Sequence, residues 1–141
     1  MQQAEMRALN TKVIEEFRAN EGAVGGQFEG IPLLLLTTTG ARSGQPRISP
    51  LVYLADGDRL VVFAANGGSD STPGWYHNLA ADPAAEVEVE VGTDRCAAAW
   101  HVAEGAERER LWAAQVAHSP YLADFQTATE RQIPVVVLRR V

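Results

Sequence analysis

The stretch Arg47–Ala65, R-I-S-P-L-V-Y-L-A-D-G-D-R-L-V-V-F-A-A, decides the fold class. Two apolar runs, Arg47 to Ala55 and Arg59 to Ala65, flank Asp56-Gly57. Glycine takes the positive φ of a tight turn without steric cost, so the pattern predicts a β-hairpin. Upstream, Pro32 to Thr39 is a short apolar run ending in three threonines, read as a strand buried at its start. Downstream, Glu86 to Val91 alternates Glu and Val without exception, which predicts a half-exposed strand with valines toward a core and glutamates toward water. Gly92-Thr93 turns into a strand over Cys96–Val102, and Pro134–Leu138 is an apolar closing strand. Short turns favour antiparallel pairing, because parallel strands need long crossovers. The expected class is α+β, predominantly β: about six antiparallel strands with peripheral helices, closed into a small barrel that removes sheet edges.

The helices follow from apolar spacing. Met6, Leu9, Val13 and Phe17 form one stripe on a helix over about 4–19, with Glu15, Glu16 and Arg18 facing elsewhere. Glycines at 22, 25, 26 and 30 make 20–30 a connector. Thr72-Pro73 reads as an N-cap followed by proline at the first helical position, and Asp82-Pro83 ends that helix. A helix over about Ala103–Ala117 packs through Leu111, Trp112 and Val116, and a helical turn is expected over Tyr121–Thr129. Trp100 and His101 read as core and surface positions of their strand. The 141 residues suit one domain, 1–141.

Composition excludes several functions. With 46% hydrophobic and 21% charged residues the chain is not intrinsically disordered. Twelve Lys+Arg against eighteen Asp+Glu, a net charge of −6, argues against nucleic acid as a partner. Cys96 is the lone cysteine and the three histidines are scattered, so no metal site is expected. The start lacks a basic segment followed by an apolar one, and no apolar run reaches the roughly 20 residues of a membrane span. A cytoplasmic protein is expected.

Chemistry concentrates in two clusters. No acidic residue occurs between Glu29 and Asp56, and that window holds T-T-T-G-A-R-S-G-Q-P-R, residues 37–47. A Gly- and Ser-rich turn with Arg42 and Arg47 suits an anion, through backbone N–H groups and bidentate guanidiniums. The competing reading is a solvated hairpin turn. The second cluster is N-G-G-S-D-S-T-P-G-W-Y-H-N-L, residues 66–79, a glycine-bearing loop entering a helix N-terminus. There Trp75 and Asn78 share a face and suit a flat heteroaromatic ligand, or else Trp75 is core and Asn78 caps a backbone group. His77 lies on another face. Near the C-terminus His118, Tyr121 and Asp124 are candidate proton donors without a visible partner, and helix capping or rim packing is the favoured reading. No nucleophile elbow, HExxH or catalytic carboxylate pair is present, so an enzyme of this sequence needs a cofactor.

These clusters carry a resemblance. L-L-L-L-T-T-T-G-A-R-S-G-Q-P-R-I-S-P-L-V-Y, then D-G-D-R-L-V-V-F-A-A-N-G-G, then P-G-W-Y-H-N-L-A-A-D-P, resemble the deazaflavin-dependent nitroreductase family of actinobacteria over about residues 10–138. The resemblance implies a split β-barrel related to FMN-binding proteins and the cofactor coenzyme F-420, an 8-hydroxy-5-deazaflavin with a phosphate and glutamates in its tail. It implies that Arg42, Ser43 and Arg47 hold the tail, and that Ile48, Ser49, Pro50, Leu51 and Val52 lie along the ring through backbone contacts. Phe63, Ala64, Ala65 and Asn66, with Gly74, Trp75, Tyr76, His77 and Asn78, complete the pocket. Ala41 stands where relatives often carry a basic residue. Tyr121 matches one of several tyrosines that line the substrate side in some relatives.

The implied activity is hydride transfer from reduced coenzyme F-420 to a quinone, an activated alkene or a nitro compound, with Tyr121 or solvent supplying a proton. The alternatives are an FMN-using split-barrel reductase or oxidase, and a deazaflavin-binding storage protein without turnover. The chain is expected to be a monomer or a homodimer.

Overall fold

The computed structural model describes residues 3–68 and 70–141. Six strands close into an antiparallel barrel in the order β1-β2-β3-β6-β5-β4. They are β1 (Leu33–Thr39), β2 (Pro46–Asp56), β3 (Arg59–Phe63), β4 (Val87–Val91), β5 (Asp94–Val102) and β6 (Val135–Arg140). Helix α1 (Gln3–Ala19) precedes the barrel, α2 (Gly74–Ala81) joins β3 to β4, and α3 (Gly105–His118) and α4 (Tyr121–Thr127) join β5 to β6. The expected hairpin is present, with Asp56 opposite Arg59 across Gly57-Asp58.

The barrel interior is filled by Leu34, Leu36, Leu60, Val62, Val87, Val89, Ala98, Val136 and Leu138, with Trp75 and Leu79 of α2 among them. Helix α2 therefore plugs one end of the barrel. Strands β1, β3 and β6 are buried on both faces, which explains their unbroken apolar runs. Leu33 and Leu35 face outward beneath Val13 and Phe17 of α1. Val135 and Val137 face outward beneath Leu111 of α3, beside Val61. Each such Leu or Val contributes roughly 1.5–3 kcal/mol on leaving water.

Several expectations need correction. Glu90 is not in water: α1 covers that face, and Glu90 is 8% exposed. Its carboxylate accepts from Nε and Nη2 of Arg18 at 3.1 and 2.9 Å, so Arg18 also turns toward the barrel. A buried carboxylate needs such a partner. Glu88 is half-buried and pairs with Arg95. The α1 stripe is buried only from Val13 onward, since Leu9 is exposed; the Met6 side chain lies outside the described residues. Thr72 does not cap α2. Pro73 is the cap residue, extended at ψ 151°, and its carbonyl accepts the Tyr76 N–H at 3.1 Å. Helix α3 begins at Gly105, two residues late, because Ala103 is still bonded to Val135 of the barrel. It buries Gln115 with Leu111, while Trp112 and Val116 are half-buried. Trp100 is also only half-buried.

Candidate functional site

Antiparallel order brings the two sequence clusters to one end of the barrel. β1 ends there and β2 begins there, linked by the turn at Gly40–Gln45; β3 ends there, followed by a 3-10 turn at Asn66–Gly68 and then α2. The start of β6 lies there too, since Phe63 pairs with Val135, and α4 packs on the 3-10 turn.

The turn is built from its own backbone. Gly40 N–H donates to Gln45 O at 2.8 Å, Gly44 N–H to Gly40 O at 2.9 Å, and Gln45 N–H to Ser43 Oγ at 3.2 Å. Ala41 N–H donates to Asn78 Oδ1 at 2.9 Å, and Asn78 Nδ2 donates to Thr38 Oγ1 at 3.0 Å. Asn78 thus fastens the turn to the plug helix. Arg47 lies opposite Thr38 in the β1–β2 register and reaches Ser43 Oγ at 3.5 Å. Arg42 and Arg47 are both exposed, and neither has a carboxylate partner among the described residues. By contrast Arg18, Arg59, Arg95 and Arg110 are all paired with acids. Two unneutralised guanidiniums at an acid-free turn favour an anionic ligand.

Beside the turn, β2 is open. Its residues Pro46–Val52 pair with β1, but β3 pairs only with Tyr53–Asp56. No residue of β2 is fully buried. Half of the backbone N–H and C=O groups over Arg47–Val52 therefore face a gap instead of a strand. Ser49 and Leu51 lie on the barrel's inner face; Ile48 packs outward near α1, and Val52 is 38% exposed. Pro50 sits within this segment, and proline is tolerated where the strand edge is free.

The other expected residues divide. Ala64 and Ala65 are buried at the end of β3, and Asn66 takes φ 48° while its Nδ2 donates to Ser71 O at 3.0 Å. Ser69 lies outside the described residues. Phe63 is turned outward, edge-on to Trp112 at 6.2 Å, so its ring faces α3 and not the gap. Trp75 is 7% exposed, edge-on to Tyr76, and its indole packs with the barrel core. Asn78 makes one hydrogen bond through each amide atom, as above. Gly74 and His77 are exposed on α2. Tyr121 is 69% exposed in the first turn of α4. A depression of about 500 Å³ borders the turn between β1, β4 and β5, lined in part by Thr37, Thr39, Pro46, Glu88, Arg95 and Cys96.

Sequence reasoning missed one set of residues. After α4, Arg131 donates from Nη1 to Ala64 O at 3.1 Å and from Nη2 to Ala65 O at 2.8 Å. Thr129, buried, donates its hydroxyl to Asp70 at 2.7 Å. An arginine in a polar loop before Ile133-Pro134 reads as surface; its only signal is its place just ahead of a buried strand.

The anion-favouring turn and the open edge of β2 fit the implied deazaflavin: the turn suits its acidic tail, and the edge suits the polar rim of its ring. The profile of the F420H(2)-dependent quinone reductase family matches residues 9–140. An F420H(2)-dependent quinone reductase of Mycobacterium tuberculosis strain H37Rv is 39% identical over 130 residues, covering 88% of this chain and 85% of that protein. A solved F420-H2 dependent reductase (FDR-A) is 37% identical with TM-score 0.69, covering 77% of this chain and 94% of its own. Another solved structure, described as a domain-swapped dimer, is 32% identical with TM-score 0.71, over 98% and 100% of the two chains. The split-barrel fold, the acid-free turn and these likenesses converge, and the chain belongs to the F420H(2)-dependent quinone reductase family.

Proposed function

We propose that this chain reduces quinones with coenzyme F-420, at the barrel end where the Arg42–Arg47 turn meets the open edge of β2. The observation that carries this reading is the backbone of Arg47–Val52, unpaired by β3, beside two guanidiniums without carboxylate partners. When bound, the reduced deazaflavin supplies a hydride.

The protein's part is binding and placement. Arg42 and Arg47 neutralise the tail, with Ser43 and its turn held in register by Asn78. The free N–H and C=O groups of Arg47–Val52 hydrogen-bond the ring edge, and Ala64–Asn66 closes the far side of the gap. Trp75 supports the site from inside the barrel by fixing α2. A quinone that has accepted hydride needs one proton to become the hydroquinone, and the exposed hydroxyl of Tyr121, or water, delivers it. Among the described residues no helix is long and apolar enough to cross a membrane. A lipid quinone would therefore be met at the membrane surface by this domain.

The test is titration of the purified protein with coenzyme F-420, followed by oxidation of the reduced coenzyme with menadione. Saturable binding and quinone-dependent loss of reduced coenzyme are expected. Absence of binding, or binding of FMN in its place, overturns the cofactor assignment; tight binding without turnover of menadione, cyclohexenone or nitroimidazoles leaves a storage protein.

A further inference from the structure

We infer that Arg131 is a positioning residue for the coenzyme: its guanidinium fixes Ala64 and Ala65, the wall that faces the open edge of β2. The inference rests on the reading above and extends it to a residue outside both sequence clusters.

A gap between two backbones binds a flat ring only if its width is fixed. One side, β2, is held by β1 along Pro46–Val52. The other side has lost its strand partner, because β6 pairs with β3 only as far as Phe63, with one further bond from Ala64 N–H to Pro134 O at 3.0 Å. Arg131 takes over there. Its two nitrogens donate to consecutive carbonyls, Ala64 at 3.1 Å and Ala65 at 2.8 Å, a match for the rigid fork of a guanidinium that one ammonium cannot make.

Arg131 is itself held. Gln126 of α4 donates to Arg131 O at 2.7 Å and accepts from Ile133 N–H at 2.9 Å, and Arg131 N–H donates to Thr129 Oγ1 at 3.3 Å. Thr129 in turn bonds Asp70, beyond the 3-10 turn. Gly68 of that turn lies so close beneath α4 that a Cβ would come 3.1 Å from Phe125 Cα. Ala64, Ala65 and Gly68 on one side and Asp70 on the other are thus each tied to α4 or its following loop. That α4 also carries Tyr121 places the fixed wall and the substrate side on one unit.

The experiment compares wild type, R131A, R131K and, as a control, R108A. Arg108 is another arginine bonded to a backbone carbonyl, Ile133 O at 2.6 Å, but it touches neither wall. Well below every melting temperature, coenzyme affinity is read by fluorescence titration, and amide exchange over residues 63–68 is read without coenzyme. Loss of charge-assisted bonds to the two carbonyls should weaken coenzyme binding about tenfold or more in R131A and about threefold in R131K. Exchange over 63–68 should quicken in both, kcat at saturating coenzyme should stay within about twofold of wild type, and R108A should melt earlier with unchanged affinity. Unchanged affinity in a folded R131A overturns the inference, as does an equal loss in R108A. If R131A does not fold, R131K decides on the same terms. If wild type itself binds no coenzyme, the proposed function fails, whereas the exchange data still report whether Arg131 fixes the wall.

Discussion

Replacing Asn78 separates its structural work from any role as a ligand contact. Asn78→Ala removes two hydrogen bonds, to Ala41 N–H and Thr38 Oγ1. The first is exposed, and water restores most of it. The second is costlier: Thr38 is 4% exposed, so its hydroxyl is left without a partner. Together the two losses cost about 2 kcal/mol. For a chain of this length that lowers Tm by about 6 °C. Asn78→Asp keeps both bonds, because the carboxylate still accepts from Ala41 and the Thr38 hydroxyl rotates to donate. Its Tm should stay within about 2 °C of wild type. The new charge, however, lies beside Arg47, which is Thr38's cross-strand neighbour, and opposes an anion there. Coenzyme binding in Asn78→Asp should fall about tenfold in low salt and recover part of the loss at high salt. Differential scanning calorimetry and fluorescence titration check the pair. An Asn78→Ala variant with wild-type Tm, or an Asn78→Asp variant as unstable as Asn78→Ala, refutes the reasoning.

Replacing both Arg42 and Arg47 with alanine should weaken coenzyme binding about tenfold or more, increasingly for longer glutamate tails, and the loss should shrink with salt; equal affinity in low salt removes the anion-turn argument. Acid should act through the Asp56–Glu107 cluster. The guanidiniums of Arg110 and Arg59 hold the Asp56 carboxyl well below its ordinary range, and His101 and Arg59 lower that of Glu107. The folded state thus binds these protons less readily than the unfolded chain, so the stabilisation is complete above the ordinary carboxylate range and is lost as pH falls below about 4. Tm measured from pH 7 to pH 3 should drop on the acid side, less steeply in Arg110→Ala, whose Tm at neutral pH should already be lower. Gly22→Ala should cost about 2–4 kcal/mol, because φ is +97° and the new Cβ would meet Gly92 Cα at 2.7 Å; a chemical-denaturation midpoint equal to wild type would exclude that close approach.

How much of this was legible in the sequence depends on what covers each face. The Asp56-Gly57 hairpin was legible because turn chemistry is local. The Glu86–Val91 alternation gave the inner face correctly, but period two says nothing about what lies outside, and α1 with Arg18 turned Glu90 into a buried partner. The same limit governs Trp75. Helical spacing places it with Asn78 on one face, yet only closure of the barrel decides that the indole goes inside. The lack of acids within the turn's own segment was legible, but not that the start of β4 brings Glu86 and Glu88 to the depression beside it. Arg131 was not legible, since its partners are main-chain carbonyls, which any sequence possesses. Pro50 carries a further local signal: a proline inside an apolar run marks a strand edge that needs no donor.

The open edge of β2 links fold and site. β2 has eleven residues and β3 has five, so closure cannot pair them along their whole length. An unpaired strand edge invites pairing with another chain, and proteins block it with proline, charge or a covering element. Two of these are here: Pro50 in the edge, and Arg42 and Arg47 at its end. The features that keep the edge from being filled by protein are also those that hold it available to a ligand with a polar rim and an anionic tail. A strand extension that let β3 pair with Pro46–Val52 would complete the barrel's hydrogen bonding and, by the same step, remove the site.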